Sequence, residues 1–173
     1  AQSKALRHIF FAERSVAKLP ELDGAAPNPI NEGGVIGGGI MGAGIATASL
    51  LAGFKATIIE RNEEACTHGR ATVKKHLSGS LKRGLITQDS FNDLLASLST
   101  STDYADLGTA DLVVEAVFED MAVKHDVFGK LSKHCKPDAV LASNTSYLDI
   151  NEIAANCTHP QRVIGLHFFS PAH

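Results

Sequence analysis

The segment Val35-Ile36-Gly37-Gly38-Gly39-Ile40-Met41-Gly42 narrows the possible folds more than any other. A short β-branched run enters a glycine cluster and leaves as an apolar, helix-compatible stretch from Ile40 to Ala52. Eight of the 15 glycines fall here, at positions 33, 34, 37, 38, 39, 42, 44 and 53. Residues 33–54 carry no charge, which by length alone resembles a membrane helix. Gly38 and Gly42 also have the small-residue spacing of packed membrane helices. But five of these glycines crowd positions 33–39, where a continuous helix is poor. The segment therefore reads as strand, tight turn and helix, and no membrane span is expected.

Gly37, Gly39 and Gly42 form the spacing G-x-G-x-x-G. Each glycine meets a separate need. The first makes the strand-to-helix turn, the second lets the backbone approach a pyrophosphate, and the third lets the helix pack against the strand. The helix start at Ile40 and Met41 then offers unpaired N–H groups and a positive dipole end to phosphates. An acid closes the next strand: Glu60 stands 18 positions after Gly42, near the expected spacing of about 20. A carboxylate there accepts hydrogen bonds from ribose hydroxyls and repels a 2′-phosphate, favouring NAD over NADP. Arg61 is the opposing signal, since an Arg can face a 2′-phosphate. FAD uses the same kind of turn, and a glycine turn can also be purely structural.

The rest of the chain alternates in type. A helix is expected over residues 3–19, stopped by Pro20. It is too short to fold alone, so its apolar face needs a partner in this domain or another. Residues 20–32 hold three prolines, Gly24 and two asparagines and read as a linker. Strands are expected at 35–36, 56–60, 99–102, 112–115, 139–143 and 162–169. Helices are expected at 40–52, 63–83, 87–98, 118–135 and 149–156. Strands alternating with helices imply an α/β fold of the doubly wound, Rossmann type, a mostly parallel sheet with helices on both faces. Over 173 residues this is the size of about one domain. The division expected is a linker helix and loop at 1–30 and a nucleotide-binding domain at 31–173.

Composition removes other classes. A net charge of −3 offers no basic excess for nucleic acid. Hydrophobic residues at 44% rule against disorder. Cys66, Cys135 and Cys157 are too dispersed for a zinc site and read as reduced thiols. No apolar core marks residues 1–20 as a secretory signal. The chain begins at Ala1, already in helical sequence, and ends at His173 within an apolar run, which reads as a piece cut from a longer protein.

Three further segments fall at expected carboxyl ends of strands, where ligands bind such sheets. In Asp111–Lys124 (DLVVEAVFEDMAVK), Ala116, Val117, Glu119 and Lys124 are candidates to line the crevice. On spacing alone, Glu119 and Asp120 are better read as a helix start and Lys124 as a solvated position. Ser143-Asn144-Thr145-Ser146 equally suits a polar turn. In Gly165–Pro171, a lone His167 among apolar neighbours reads first as a core residue and only second as a catalyst.

Taken together, VIGGGIMGAGIA, DLVVEAVFEDMAVK, LASNTSYLDINEIA and RVIGLHFFSPAH, in that order, resemble the NAD-binding domain of 3-hydroxyacyl-CoA dehydrogenases over about residues 31–173. The stretch SKALRHIFFAERS resembles the linker helix of multifunctional fatty-acid β-oxidation proteins, in which an enoyl-CoA hydratase domain comes first. The resemblance implies oxidation of 3-hydroxyacyl-CoA to 3-ketoacyl-CoA by hydride transfer to NAD. It implies that His167 is the catalytic base, that Ser146 bonds the reacting oxygen, and that Asn144 lies beside the nicotinamide ribose and thioester. It assigns Glu119 and Lys124 to the nicotinamide half of the cofactor and Glu60 to the adenosine ribose. The chemistry agrees, because alcohol oxidation needs a base titrating near working pH and imidazole is one.

The chain departs from the family in two ways. Family members pair the His with a downstream Glu and complete the site with an Asn from a following helical domain, and the chain stops before either. Glu32-Gly33 also replaces apolar residues at the start of the first strand, which is expected to start late or fray. The resemblance further implies an acyl-CoA substrate, an oligomeric parent with a thiolase subunit as candidate partner, and NADH binding without appreciable turnover by this piece alone. Residues 163–169 are expected to expose apolar surface. The compartment expected is a bacterial cytoplasm, with peroxisome and mitochondrion as alternatives. The competing readings are a Rossmann dehydrogenase for a small hydroxy acid and a non-catalytic nucleotide-binding module.

Overall fold

The structure is a computed structural model. It describes all residues except Ala1, Ala17, Asp23 and His173, and not the side chain of Glu21. The strands are β1 (Glu32–Ile36), β2 (Lys55–Ile59), β3 (Leu98–Ser101), β4 (Leu112–Glu115), β5 (Val140–Ser143) and β6 (Val163–Gly165). The helices are α1 (Gln2–Val16), α2 (Ile40–Leu51), α3 (Glu63–Lys82), α4 (Gln88–Ala96), α5 (Met121–His134) and α6 (Ile150–Ala154). The strands form one sheet in the order β3-β2-β1-β4-β5-β6, and every pairing is parallel. This is the doubly wound arrangement, with its strand order reversing between β1 and β4.

Two cores cover the two faces. Val35, Ile58, Val114 and Ala142 pack with Ile45, Leu50, Val73 and Leu77 of α2 and α3. Ile36, Ile59, Val113 and Leu141 pack with Phe128, Leu131 and Ile153 of α5 and α6. Neighbouring residues of β1, β2 and β4 thus serve opposite cores, as the strand period requires. Each fully buried Leu, Ile or Phe contributes about 1.5–3 kcal/mol.

The helix limits follow from local chemistry. Asn62 caps α3 by accepting from the Ala65 N–H at 2.9 Å, and Gly84 follows its end at φ +70°. Thr87 caps α4 and Asp120 caps α5 through the same N3 contact. Because Asp120 is a cap, α5 starts at Met121 rather than near residue 118, and Glu119 lies in the preceding loop.

Three expectations are corrected. First, β1 neither starts late nor frays. It runs from Glu32, paired to β2 and β4, because ladder bonds need backbone and not apolar side chains. Glu32 itself accepts from Thr109 Oγ1 and Lys55, and a Cβ on Gly34 would stand 2.6 Å from Leu107 Cδ2. Second, β6 ends at Gly165. The last ladder bond runs from Leu166 N to Ser143 O, after which Phe168 N donates to the Asn144 side chain instead. His167 therefore sits on the exit loop, not in a strand. Third, α1 ends at Val16 and none of its described residues is buried. Leu6, Ile9, Phe10 and Phe11 stay exposed, so of the two partners expected for this apolar face, the one within this domain is not seen. Ile164 and Phe169 are exposed, as expected for that stretch.

Candidate functional site

The glycine turn sits at the carboxyl end of β1. Gly37 holds φ +90°, a conformation that favours glycine, and its N–H donates to Ile59 O. A Cβ on Gly42 would fall 1.7 Å from Gly37 O, so this glycine is what lets α2 pack under the turn. It does not line the cleft above. Gly38 lies against Gly69 of α3, where a Cβ would stand 3.1 Å from the Gly69 Cα. Around Gly39 a Cβ would meet nothing within 4 Å. Its glycine identity is not required by the protein's own packing, and the space is on the ligand side. Gly39 is also the N-cap of α2 and no side chain caps that end, so the first-turn N–H groups remain available to an anion.

Glu60 follows β2. Its Oε1 accepts from Gly38 N at 2.6 Å and its Oε2 from Arg61 N at 3.1 Å, which ties the acid to the turn. A carboxylate has lone pairs left after two such bonds, so Glu60 can still accept from hydroxyls. A cleft of about 1150 Å³ runs over this surface. Gly37, Gly39, Ile40, Met41, Glu60, Arg61, Ala116 and Val117 line it. Its far wall is Tyr104, Asp126 and Lys130, which sequence reasoning did not single out. Burial, then the charges of Asp126, Glu115 and Glu60, push the Tyr104 hydroxyl up to about 12, so it stays neutral at pH 7.

A second cleft of about 540 Å³ adjoins the first, sharing Met41, Ala116 and Val117. It brings together Glu119, Lys124, Asn144, Ser146 and His167 from three separate strand exits. Lys124 is not solvated. It is 1% exposed and its Nζ lies 2.8 Å from Glu115 and 3.0 Å from Glu119. Glu115, at the end of β4, is fully buried and also accepts from Ser143 Oγ and Val117 N. Glu119 accepts from Thr145 Oγ1 and Ser146 N. Burial pushes the Glu119 carboxyl up, but the bonds from Thr145, Lys124 and Ser146 outweigh it and hold it below the usual range. Removing one partner from such a buried pair costs about 3–5 kcal/mol.

Glu115, Ser143 and Thr145 were missed as site residues. The available signal for Glu115 and Ser143 was their place at expected strand ends; their pairing in register shows only in the fold. Asn144 acts twice: its Oδ1 accepts from Phe168 N at 2.7 Å, and its backbone O lies 3.2 Å from His167 Nδ1. A carbonyl can only accept, so this bond places the proton on Nδ1 and leaves Nε2 as the acceptor nitrogen. His167 is exposed, not a core residue. Among the described residues no cluster suits a metal ion, and no helix is long and apolar enough to cross a membrane.

The residues fit NAD on the chain's own geometry: the open space at Gly39, the uncapped α2 start and the acid beside the turn. Comparison with known proteins agrees. Residues 33–173 match the family model described as 3-hydroxyacyl-CoA dehydrogenase, NAD binding domain. The chain is 39% identical over 173 residues to the glyoxysomal fatty acid beta-oxidation multifunctional protein MFP-a of Brassica napus, covering 99% of this chain and 24% of that protein. It thus spans about a quarter of the length of such relatives. FadB2 of M. tuberculosis superposes with a TM-score of 0.81 at 44% identity, over 84% of this chain and 51% of that one. The 3-hydroxybutyryl-CoA dehydrogenase of Escherichia coli K12 gives 0.80 at 37% identity, over 84% of this chain and 31% of that one. With its glycine turn, the acid after its second strand and its parallel sheet, the chain belongs to the family of NAD-binding domains of 3-hydroxyacyl-CoA dehydrogenases.

Proposed function

We propose that this domain serves a protein that oxidises 3-hydroxyacyl-CoA to 3-ketoacyl-CoA in fatty-acid β-oxidation. The observation that carries the reading is the juxtaposition of His167 with the Glu119–Ser146 loop contact in the cleft that continues the dinucleotide cleft. When bound, NAD supplies the hydride acceptor for the substrate C3–H electron pair. His167 takes the 3-hydroxyl proton on Nε2, its Nδ1 proton being engaged by Asn144 O. Ser146, held by Glu119 at its backbone, donates to the reacting oxygen. Asn144 fixes the exit loop and borders the nicotinamide ribose and thioester. Glu60 receives the adenosine ribose hydroxyls, with Arg61 beside it. The names of the plant multifunctional relatives and of the E. coli 3-hydroxybutyryl-CoA dehydrogenase support the acyl-CoA class over a free hydroxy acid.

Residues 1–30 read as a linker after a hydratase region, and 31–173 as the cofactor domain of a larger oligomeric parent, with a thiolase subunit as candidate partner. Three buried free cysteines suit a reducing compartment. The bacterial cytoplasm is the compartment proposed. A peroxisomal tripeptide closing the parent reading frame would move it to the peroxisome, the site named for plant relatives.

The test uses the full-length parent. Acetoacetyl-CoA is expected to consume NADH while free 3-keto acids do not, and His167→Gln is expected to lower kcat/KM about 10²-fold or more. Turnover of free acids, or an unaffected His167→Gln enzyme, overturns the reading.

A further inference from the structure

We propose that Glu115, Lys124 and Glu119 form a fixed net-negative triad that favours the cationic, oxidised nicotinamide over the neutral, reduced one. The proposal rests on the reading of the smaller cleft as the nicotinamide side of the site.

The charged groups lining that cleft are Glu115, Glu119 and Lys124, with the imidazole of His167 beside them. Two carboxylates face one ammonium, and His167 as a base is neutral. The lining therefore carries one net negative charge before reaction. Lys124 does not discharge both acids. It closes onto both oxygens of Glu115 at 2.8 Å and reaches Glu119 at 3.0 Å. Lys124 and Glu115 are 1% and 0% exposed, while the Glu119 side chain is 29% exposed at the cleft. The surplus charge thus sits at the open end of the triad, on the side a ligand reaches. Its position is held by four contacts to Glu119 and Glu115 that involve no ligand: Thr145 Oγ1, Ser146 N, Ser143 Oγ and Val117 N.

The oxidised nicotinamide ring is cationic and the reduced ring is neutral. Alcohol oxidation also makes His167 an imidazolium by proton transfer. The positive charge that leaves the ring is matched by one gained on His167, in the same cleft. One negative triad therefore serves as counter-charge before and after the step without moving. In a partly desolvated cleft, with an effective dielectric near 20, a unit charge about 12 Å away already changes affinity on the order of tenfold.

Glu119→Gln removes the surplus charge but keeps the length and the acceptor oxygen for Thr145 and Ser146. Binding of NAD⁺ and NADH to the purified chain is measured by calorimetry for wild type, Glu119→Gln and Glu119→Asp. The expected result is a rise of about tenfold in the ratio of NAD⁺ Kd to NADH Kd in Glu119→Gln, and recovery of that ratio in Glu119→Asp. Equal weakening of both ligands, or no change in their ratio, overturns the triad's role while leaving the cofactor reading intact. Failure of the wild-type chain to bind either ligand overturns that underlying reading instead.

Discussion

Gly39 and Gly42 separate two reasons for glycine that the motif alone merges. At Gly42 a methyl group would meet Gly37 O at 1.7 Å, and both atoms belong to rigid backbone. Gly42→Ala is expected to cost about 1–3 kcal/mol or more in urea denaturation, the scale of overpacking. Gly39→Ala has open space and an unstrained φ of −66°, so its stability is expected to change by less than about 1 kcal/mol. Its NADH affinity is expected to fall at least about tenfold, because the methyl group takes space kept for phosphate. Wild-type affinity in Gly39→Ala would show that phosphates do not approach there. At this scale spacing made Gly37, Gly39 and Glu60 legible as candidate site residues, whereas Ser146 and His167 were singled out only through the family resemblance. The sequence did not reveal Gly69 or Glu115. Gly69 matters only because α3 crosses the turn, and Glu115 reads as an ordinary strand-end acid until Lys124 is seen packed onto it. Both depend on contacts between elements distant in sequence.

Element boundaries depend on side chains that compete with the backbone. The apolar run 162–169 reads as one strand, but Asn144 Oδ1 takes the Phe168 N–H and ends the ladder early. Asp120 likewise delays α5 and leaves Glu119 in a loop that can bend back to Thr145. At the opposite end of the sheet, Asp111 accepts from Asn31 N, Glu32 N and Lys136 Nζ, clamping β1 to β4 and to the end of α5. The Lys136 bond, then the two backbone N–H groups, hold the Asp111 carboxyl well below the usual carboxylate range. The same contact raises Lys136. A depressed carboxyl stabilises the fold above its unfolded pKa of about 3.9 and loses that contribution as pH falls toward the folded value. Asp111→Asn is therefore expected to lower the urea midpoint at pH 7, and the gap to wild type is expected to narrow below about pH 4. A gap that stays constant from pH 7 to pH 3 would show that the clamp is not electrostatic.

Across the whole molecule, the strand reversal between β1 and β4 places the glycine turn and the Glu115–Lys124–Glu119 cluster together at the carboxyl end of the central strands. The two clefts meet over Met41, Ala116 and Val117, so one extended ligand can lie across both. Alternating strands and helices made this architecture legible, because a parallel sheet needs helical crossovers and buries its strands on both faces. The apolar face of α1 was legible as a pattern, but its partner was not, since no described α1 residue is buried by this domain.

The glycine turn and Glu60 are proposed to bind NAD and to select against its 2′-phosphorylated form. Calorimetric titration of the purified chain with NADH and with NADPH tests this most directly. NADH is expected to bind with an affinity at least about tenfold above that for NADPH, because a carboxylate at the ribose position repels a 2′-phosphate. Tighter binding of NADPH would assign the ribose end to Arg61 instead of Glu60, and binding of neither would contradict the account.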